Sequence, residues 1–278
     1  MAMGSAADLS LHAAANGREG AGDGAVVWPT QEIWQTIAPV LPGFAIEVVQ
    51  QIESTNTELM GRARTGRLAP VLLVAEQQTA GRGRLGRQWV SDQKGVQQAS
   101  LTFSLGLPLL PRNWSGLSLA VGVSIAHSLH PELRLKWPND IWWQDRKLAG
   151  ILIETANLGD ARFTVVGVGI NIGKPVASDF NTPPAWLAEL LPDVDAPQVL
   201  RLIAAALVRS IKVFESSGFS SFQQRFNERD ALDGRPVSLS DGTVGVAQGV
   251  DEVGALRVLT TRGLSKVASA EVSLRHVA

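Results

Sequence analysis

Residues 81–89 read GRGRLGRQW, three arginines threaded among three glycines, a few residues after the apolar run VLLVAE at 71–76. The run reads as a buried strand and the nonapeptide as the loop beyond it. Gly81, Gly83 and Gly86 fit the G-x-G-x-x-G spacing of a dinucleotide site, which requires a helix to open there so that its N-terminus can receive a pyrophosphate. The following QWVSDQKG has no 3.6-residue apolar period, so the sequence argues against that reading. The alternative is a mobile loop whose backbone closes on an anion, with Arg82, Arg84 and Arg87 supplying the positive charge. A solvated basic loop is the plainer possibility.

Upstream, QEIWQTIAPVL from Thr30 reads as a short helix with apolar Ile33, Trp34, Ile37 and Leu41, ended by Pro42 and Gly43. FAIEVVQQIESTN (44–56) then runs from strand into loop, and TELMGRAR continues as a helix for which Ser54, Thr55 or Asn56 is the N-cap. Residues 1–27 carry hardly any large apolar side chain and are expected to be a disordered tail, too short for a folded DNA-binding module. Downstream, SLTFSLGL from Ser100 reads as a strand, and Ser115–Leu129 as a helix with Leu117, Val121, Ile125 and Leu129 on one face. RLKWPNDIWW (134–143) and KLAGILIET (147–155) read as two strand segments joined at a turn over Gln144–Arg146, and RFTVVGVGINIG (162–173) as a third. A long helix from about Gln198 to Ser217 is expected to bury Leu202, Ile203, Ala206, Ile211 and Phe214, and FSSFQQRFNERD continues as another. From about Leu232 the pattern changes to short strands separated by Gly and Asp turns, which points to a small β-barrel over 232–278. The expected fold is α+β: a mixed, mostly β sheet covered by helices over 28–231, then the barrel.

With 278 residues, 45% of them hydrophobic, the chain can fill a large core. Its formal net charge of −1 makes the arginine cluster a local feature and weakens the case for a general nucleic-acid binder. The absence of cysteine excludes disulfides, thiolate nucleophiles and thiolate metal sites. No apolar run reaches membrane-span length and no signal pattern opens the chain, so a soluble cytoplasmic protein is expected.

GRGRLGRQW, KWPNDIWWQDRKLAGILIE and VGVGINIG, in that order and spacing, resemble the biotin protein ligase family, as do STN at 54–56 and the terminal AEVSLR. The resemblance implies a catalytic domain related to the class II aminoacyl-tRNA synthetase core followed by an SH3-like barrel. It also implies two reactions: biotin and ATP, with Mg²⁺, give biotinyl-5′-adenylate, and a lysine of a biotin carboxyl carrier domain then takes the biotinyl group. Ser54, Thr55, Asn56 and Gln78 resemble positions lining the biotin ring, whose ureido group suits neutral donors and acceptors. Arg82 and Arg84 resemble residues that clamp biotin's carboxylate and the phosphate, and Lys147 the lysine beside the acyl phosphate. Arg87 belongs nearer the nucleotide phosphates. Gly81, Gly83, Gly150 and Gly169 let backbone approach the ligand. Asn139, Asp140 and Asn171 fall in the nucleotide and Mg²⁺ neighbourhood, with Asn171 on the adenine side; Asp140 caps a turn or accepts the incoming lysine's proton. Trp186 resembles an apolar cover of the adenylate, or is a core tryptophan. Gln97–Ser100 departs from the family's more apolar approach to the strand. A lipoate ligase-like acyltransferase and an anion- or nucleic-acid-binding module are the alternatives. No direct DNA binding is expected, and an exposed sheet edge offers a route to a homodimer.

Overall fold

The computed structural model describes residues 26–90, 99–158, 161–175, 183–268 and 272–274. Residues 1–25 of the expected tail, Gln97 and Gln98, and Ala270, Glu271 and Arg275 of the terminal motif lie outside them.

Among the described residues, twelve strands and five α-helices alternate irregularly. The strands β1 (Ala45–Ile52), β2 (Val71–Gln78), β3 (Ser100–Leu109), β4 (Arg134–Lys136), β5 (Asp140–Trp143), β6 (Arg146–Leu158) and β7 (Ala161–Asn171) form one seven-stranded sheet in the order β1-β2-β3-β7-β6-β5-β4. Of its neighbouring strands only β1 and β2 pair in parallel; the others are antiparallel, so the sheet is mixed, as expected. The helices are α1 (Thr30–Ile37), α2 (Thr55–Arg64), α3 (Leu117–Leu129), α4 (Ala196–Ser217) and α5 (Ser220–Asn227).

The two faces of this sheet have different jobs, set by the period-2 alternation of its strands. Val166, Val168 and Ile170 of β7 join Leu101, Phe103 and Leu105 of β3 in the large core under α3 and α4. On the opposite face, Phe163 and Val165 pack beneath Leu59, Met60 and Ala63 of α2. Gly106 makes that docking close, because a Cβ there would sit 2.8 Å from the Phe163 ring and 3.1 Å from Leu59. Further along this second face the register aligns Gly150, Gly169 and Thr102, then Leu152, Gly167 and Ser104. Small and polar residues there leave room where α2 stops.

RLKWPNDIWW is not one strand. It folds back on itself at Trp137–Asn139, so that Lys136 pairs with Asp140, because a mid-strand Pro138 has no N–H for a ladder. The turn at Gln144 and Asp145, both at positive φ, is as expected. The buried stripe of α4 also differs from expectation: Leu202 is 47% exposed and Ala206 only partly buried, while Val199, Leu200, Ile203, Leu207, Ile211 and Phe214 face the core. The helix is set by its contact with α3, which is buried nearly all round, and a single-helix period carries no sign of that partner.

The remaining strands, β8 (Pro236–Leu239), β9 (Val244–Val250), β10 (Leu256–Thr260), β11 (Gly263–Val267) and β12 (Val272–Leu274), form a separate antiparallel five-stranded sheet in the order β11-β10-β9-β8-β12. Its apolar face shares one continuous core with the large sheet. Trp137 fixes the contact by donating its indole N–H to the Gly254 carbonyl (3.0 Å).

Candidate active site

The half of the glycine-bearing face beyond α2 is the floor of a cavity of about 900 Å³. One end presents neutral, densely hydrogen-bonded side chains backed by the Glu154 carboxylate. Ser54, in extended backbone, caps α2 by accepting from Thr57 N (3.4 Å), so the capping role holds for this residue while it also lines the cavity. Thr55 donates through its backbone N (2.7 Å) and hydroxyl (3.1 Å) to Gln78 Oε1 at the end of β2. Ser104 Oγ bridges Thr55 Oγ1 (2.7 Å) and Asn56 Oδ1 (2.6 Å). Asn56 donates onward to Glu154 Oε2 (3.0 Å) and the Leu152 carbonyl (3.3 Å). Buried polar groups tied this tightly are held in one orientation and present only their unused donors and acceptors.

The other end is cationic. Arg84, Arg87, Lys136 and Lys147 all line it, together with the carboxylate of Asp140. Lys147 Nζ lies 2.8 Å from Asp140 Oδ1, a charge contact whose alignment falls short of a hydrogen bond. Gly150 lies under this lysine: a Cβ would come within 3.3 Å of its Nζ. Arg84 donates to Asn139 Oδ1 (3.3 Å), and Asn139 is itself clamped to Ile151 through its side-chain amide (2.8 Å) and its backbone carbonyl (3.0 Å). Asn171, at the end of β7, donates to the Ala185 carbonyl (2.9 Å) and lines the same end.

The 81–89 loop lies over the cavity as a short hairpin. Gly83 N donates to Arg87 O (2.7 Å), Trp89 N donates to Gly81 O (2.9 Å), and Leu85 and Gly86 turn through positive φ. The loop's only helical feature is a single 3-10 turn at Arg84–Gly86, broken by Leu85 at positive φ, so no α-helix N-terminus opens at its glycines and the dinucleotide geometry is absent. Gly83 lines the cavity, whereas Gly81 sits at the hairpin base, where a Cβ would lie 2.4 Å from the Trp89 carbonyl oxygen. Arg82 also lines the cavity and is tied to its wall, donating to Glu154 Oε1 (3.0 Å) and Thr57 Oγ1 (3.3 Å). Trp186 stands outside the lining, with the guanidinium of Arg146 5.6 Å and the ammonium of Lys174 5.8 Å from its ring centre.

Four contributors are not evident from sequence patterns. Ser104 and Glu154 reach the site only because β3 and β6 flank β7. Trp89 closes the arginine motif without a role of its own there; in the fold its ring covers Gly169, where a Cβ would meet it at 2.3 Å, and its indole N–H is buried without a partner. Lys136 arrives through the turn at Pro138. The K-W-P-N-D spacing held the available signal for Lys136, since a Pro-induced reversal puts it opposite Asp140.

No group of three or more His, Asp or Glu side chains suited to a metal ion occurs among the described residues. What the cavity can hold is a ligand with a neutral, polar part at one end and an anionic part at the other, beside the Asp140 carboxylate.

The comparisons agree with this geometry. Residues 48–171 match the Biotin/lipoate A/B protein ligase family. The bifunctional ligase/repressor BirA of Escherichia coli is 34% identical over 246 residues, 84% of this chain and 75% of that protein. The biotin–[acetyl-CoA-carboxylase] ligases of Mycobacterium tuberculosis (34% identical; 81% of this chain, 86% of that one) and Paracoccus denitrificans (31%; 81% and 98%) are similar over nearly the same span. Among solved structures, a biotin protein ligase from Aquifex aeolicus in complex with biotin and ATP is 30% identical with a TM-score of 0.70, covering 84% of this chain and 99% of that chain. Taken with the seven-stranded sheet and its cavity, similarity of this extent means that the chain belongs to the biotin protein ligase family.

Proposed function

We propose that the protein ligates biotin to a lysine of a biotin carboxyl carrier domain in two ATP-dependent steps, through biotinyl-5′-adenylate. The observation that carries the reading is the polarity of the cavity, a network of neutral side chains backed by the Arg82–Glu154 ion pair at one end and the excess of Arg84, Arg87, Lys136 and Lys147 over Asp140 at the other. A ureido ring matches the first end. The carboxylate of biotin and the phosphates of ATP, two anions that must be brought together, need the second.

In the first step a carboxylate oxygen of biotin attacks the α-phosphorus and pyrophosphate leaves. The attacking group is already an anion, so the protein has only to align it and offset charge, which is the role of Arg84 and Lys147. Arg82, tied to Glu154, positions the loop, and Arg87, Asn139 and Asn171 lie on the nucleotide side, with Trp186 as an outer cover. ATP enters as its Mg²⁺ complex; Asp140 is a carboxylate that the cavity wall offers, and Mg²⁺ held mainly by phosphate and water needs few protein ligands. In the second step the carrier lysine attacks the biotinyl carbonyl, AMP leaves, and Asp140 takes the amine's proton.

The matching family also includes lipoate ligases. A dithiolane ring has no N–H or carbonyl, so it would leave the Thr55–Asn56–Ser104–Gln78 network facing an apolar group, and the biotin reading is favoured for that reason. The second sheet is read as an SH3-like barrel beginning near Leu232, the larger unit, over 28–231, as class II synthetase-like, and the β1 edge as a route to a homodimer in a cytoplasmic enzyme that does not bind DNA directly. The test is exchange of labelled pyrophosphate into ATP. It is expected with biotin and absent with lipoate, and a purified carrier domain should gain one biotinyl mass; a folded protein that supports no exchange refutes the proposal.

A further inference from the structure

Lys147 faces the cavity because β6 carries a bulge. Ile141 of β5 pairs with Ala149 and Trp142 pairs with Lys147, which leaves Leu148 as an extra residue opposite no partner. Strict alternation back from Gly150, which lines the cavity, would put Leu148 on the cavity side and Lys147 on the core side. With the bulge, Leu148 and Ala149 are both buried in the large core and Lys147 joins Gly150 in the lining. A bulge disrupts the ladder on its own side, so the main chain beside it needs holding from the other.

That hold comes from residues 183–185. The β6–β7 ladder stops at the pair Ala149 and Ile170, and beyond it this segment takes the place of β7. Lys147 N donates to Pro183 O (2.9 Å), and Ala185 N donates to Lys147 O (2.8 Å). The segment is fastened in turn by Arg146. Its guanidinium forks onto both oxygens of Glu189, with one arm at 2.9 Å, and donates to Pro184 O (3.4 Å). It also lies 5.3 Å from the centre of the Trp143 ring and 5.6 Å from that of Trp186. Arg146 itself does not line the cavity.

We propose that Arg146 is a positioning residue for ligation: by fastening 183–189 to the start of β6, it holds the bulge that turns Lys147 into the cavity. It touches neither ligand nor reacting atoms and acts through the main chain of Lys147. The inference rests on the adenylation role given to Lys147 above. Ala185 and Leu187 are fully buried, so the segment keeps its seat in the core without Arg146, and what is lost is the registration of its main chain on Lys147.

Arg146→Met removes the fork and keeps an apolar stem beside the tryptophans. It should slow single-turnover adenylate formation, at saturating biotin and ATP, by about 10- to 100-fold, the effect of a misplaced reacting group. The backbone amides of Lys147 and Ala185, followed by hydrogen exchange in the ligand-free protein, should exchange at least about tenfold faster. Arg146→Lys keeps the charge without the fork and should fall between. The control is Arg235→Met, which removes a bidentate pair with Asp145, the residue before Arg146, and should change neither quantity. Arg146→Met with unaltered adenylation, with unaltered exchange at Lys147 and Ala185, or with losses matched by Arg235→Met would overturn the proposal. Exchange is read without substrate, so a native protein that forms no adenylate refutes the ligase reading, while the tie between Arg146 and Lys147 is decided separately.

Discussion

Replacing Gly167 with alanine tests whether the neutral end of the cavity is as rigid as its hydrogen bonds imply. A Cβ built there would lie 2.1 Å from Asn56 Oδ1 and 2.8 Å from its Cγ, whereas ordinary contacts begin near 3.4 Å. The amide must therefore retreat by more than 1 Å, yet it is bonded to Ser104, Glu154 and the Leu152 carbonyl and is 4% exposed. Three bonds at about 1 kcal/mol each put the loss near 3 kcal/mol. That corresponds to a fall in Tm of roughly 6–12 °C and, if biotin reads the same amide, to about a hundredfold weaker biotin binding. Scanning calorimetry and biotin titration measure both quantities. Adding Asn56→Ser to Gly167→Ala relieves the overlap, so the double variant should regain most of the stability and little of the affinity. Gly61, in α2, has no atom within 4 Å of an added Cβ; Gly61→Ala should stabilise by about 1 kcal/mol and leave biotin binding alone. A Gly167→Ala protein with unchanged Tm and biotin affinity refutes the reasoning.

Arg84→Ala should slow adenylate formation by about 10²- to 10³-fold, the cost of removing one preorganised charge donor, and a loss of only a few-fold in single-turnover adenylation would place Arg84 away from the phosphate. Asp140→Asn should slow biotinyl transfer from preformed adenylate to the carrier; an unaltered transfer rate assigns the proton to another acceptor. Asp230 makes stability depend on pH with a definite sign. Its folded value, raised to about 7 from 3.8, means that the native state holds the proton more tightly, so the stabilising contribution is complete below the unfolded value and is lost as pH rises through 7. Between pH 5 and pH 8 this amounts to on the order of 2–3 kcal/mol, which urea unfolding should detect and Asp230→Asn should remove.

The order of most elements was legible because their signals are local. Apolar runs marked β2, β3, β6 and β7, the small-residue STN marked the start of α2, and Gly and Asp turns marked the second sheet. The motif residues were legible as a set because their chemistry recurs at a characteristic spacing. What stayed hidden depends on which surface each element meets. The stripe of α4 was misplaced because α3, not a periodic rule, chooses the buried side. Ser104 and Glu154 look like ordinary strand residues until β3 and β6 are placed on either side of β7. Their roles are properties of strand order, which no window of sequence contains.

The alternation along β7 also bears on how this sequence can change by insertion and deletion. Gly167, Gly169 and Asn171 line the cavity, while Val166 and Ile170 face the large core one residue out of phase. A substitution perturbs one of these surfaces, but deletion of a single residue within the strand would exchange them, sending valine and isoleucine into the glycine floor and glycines into the core. Function and folding would fail together. Gene variants of this protein should therefore accept point changes along 163–171 far more readily than any change of length, and a sequence aligned to it with a gap there should be suspected of misalignment.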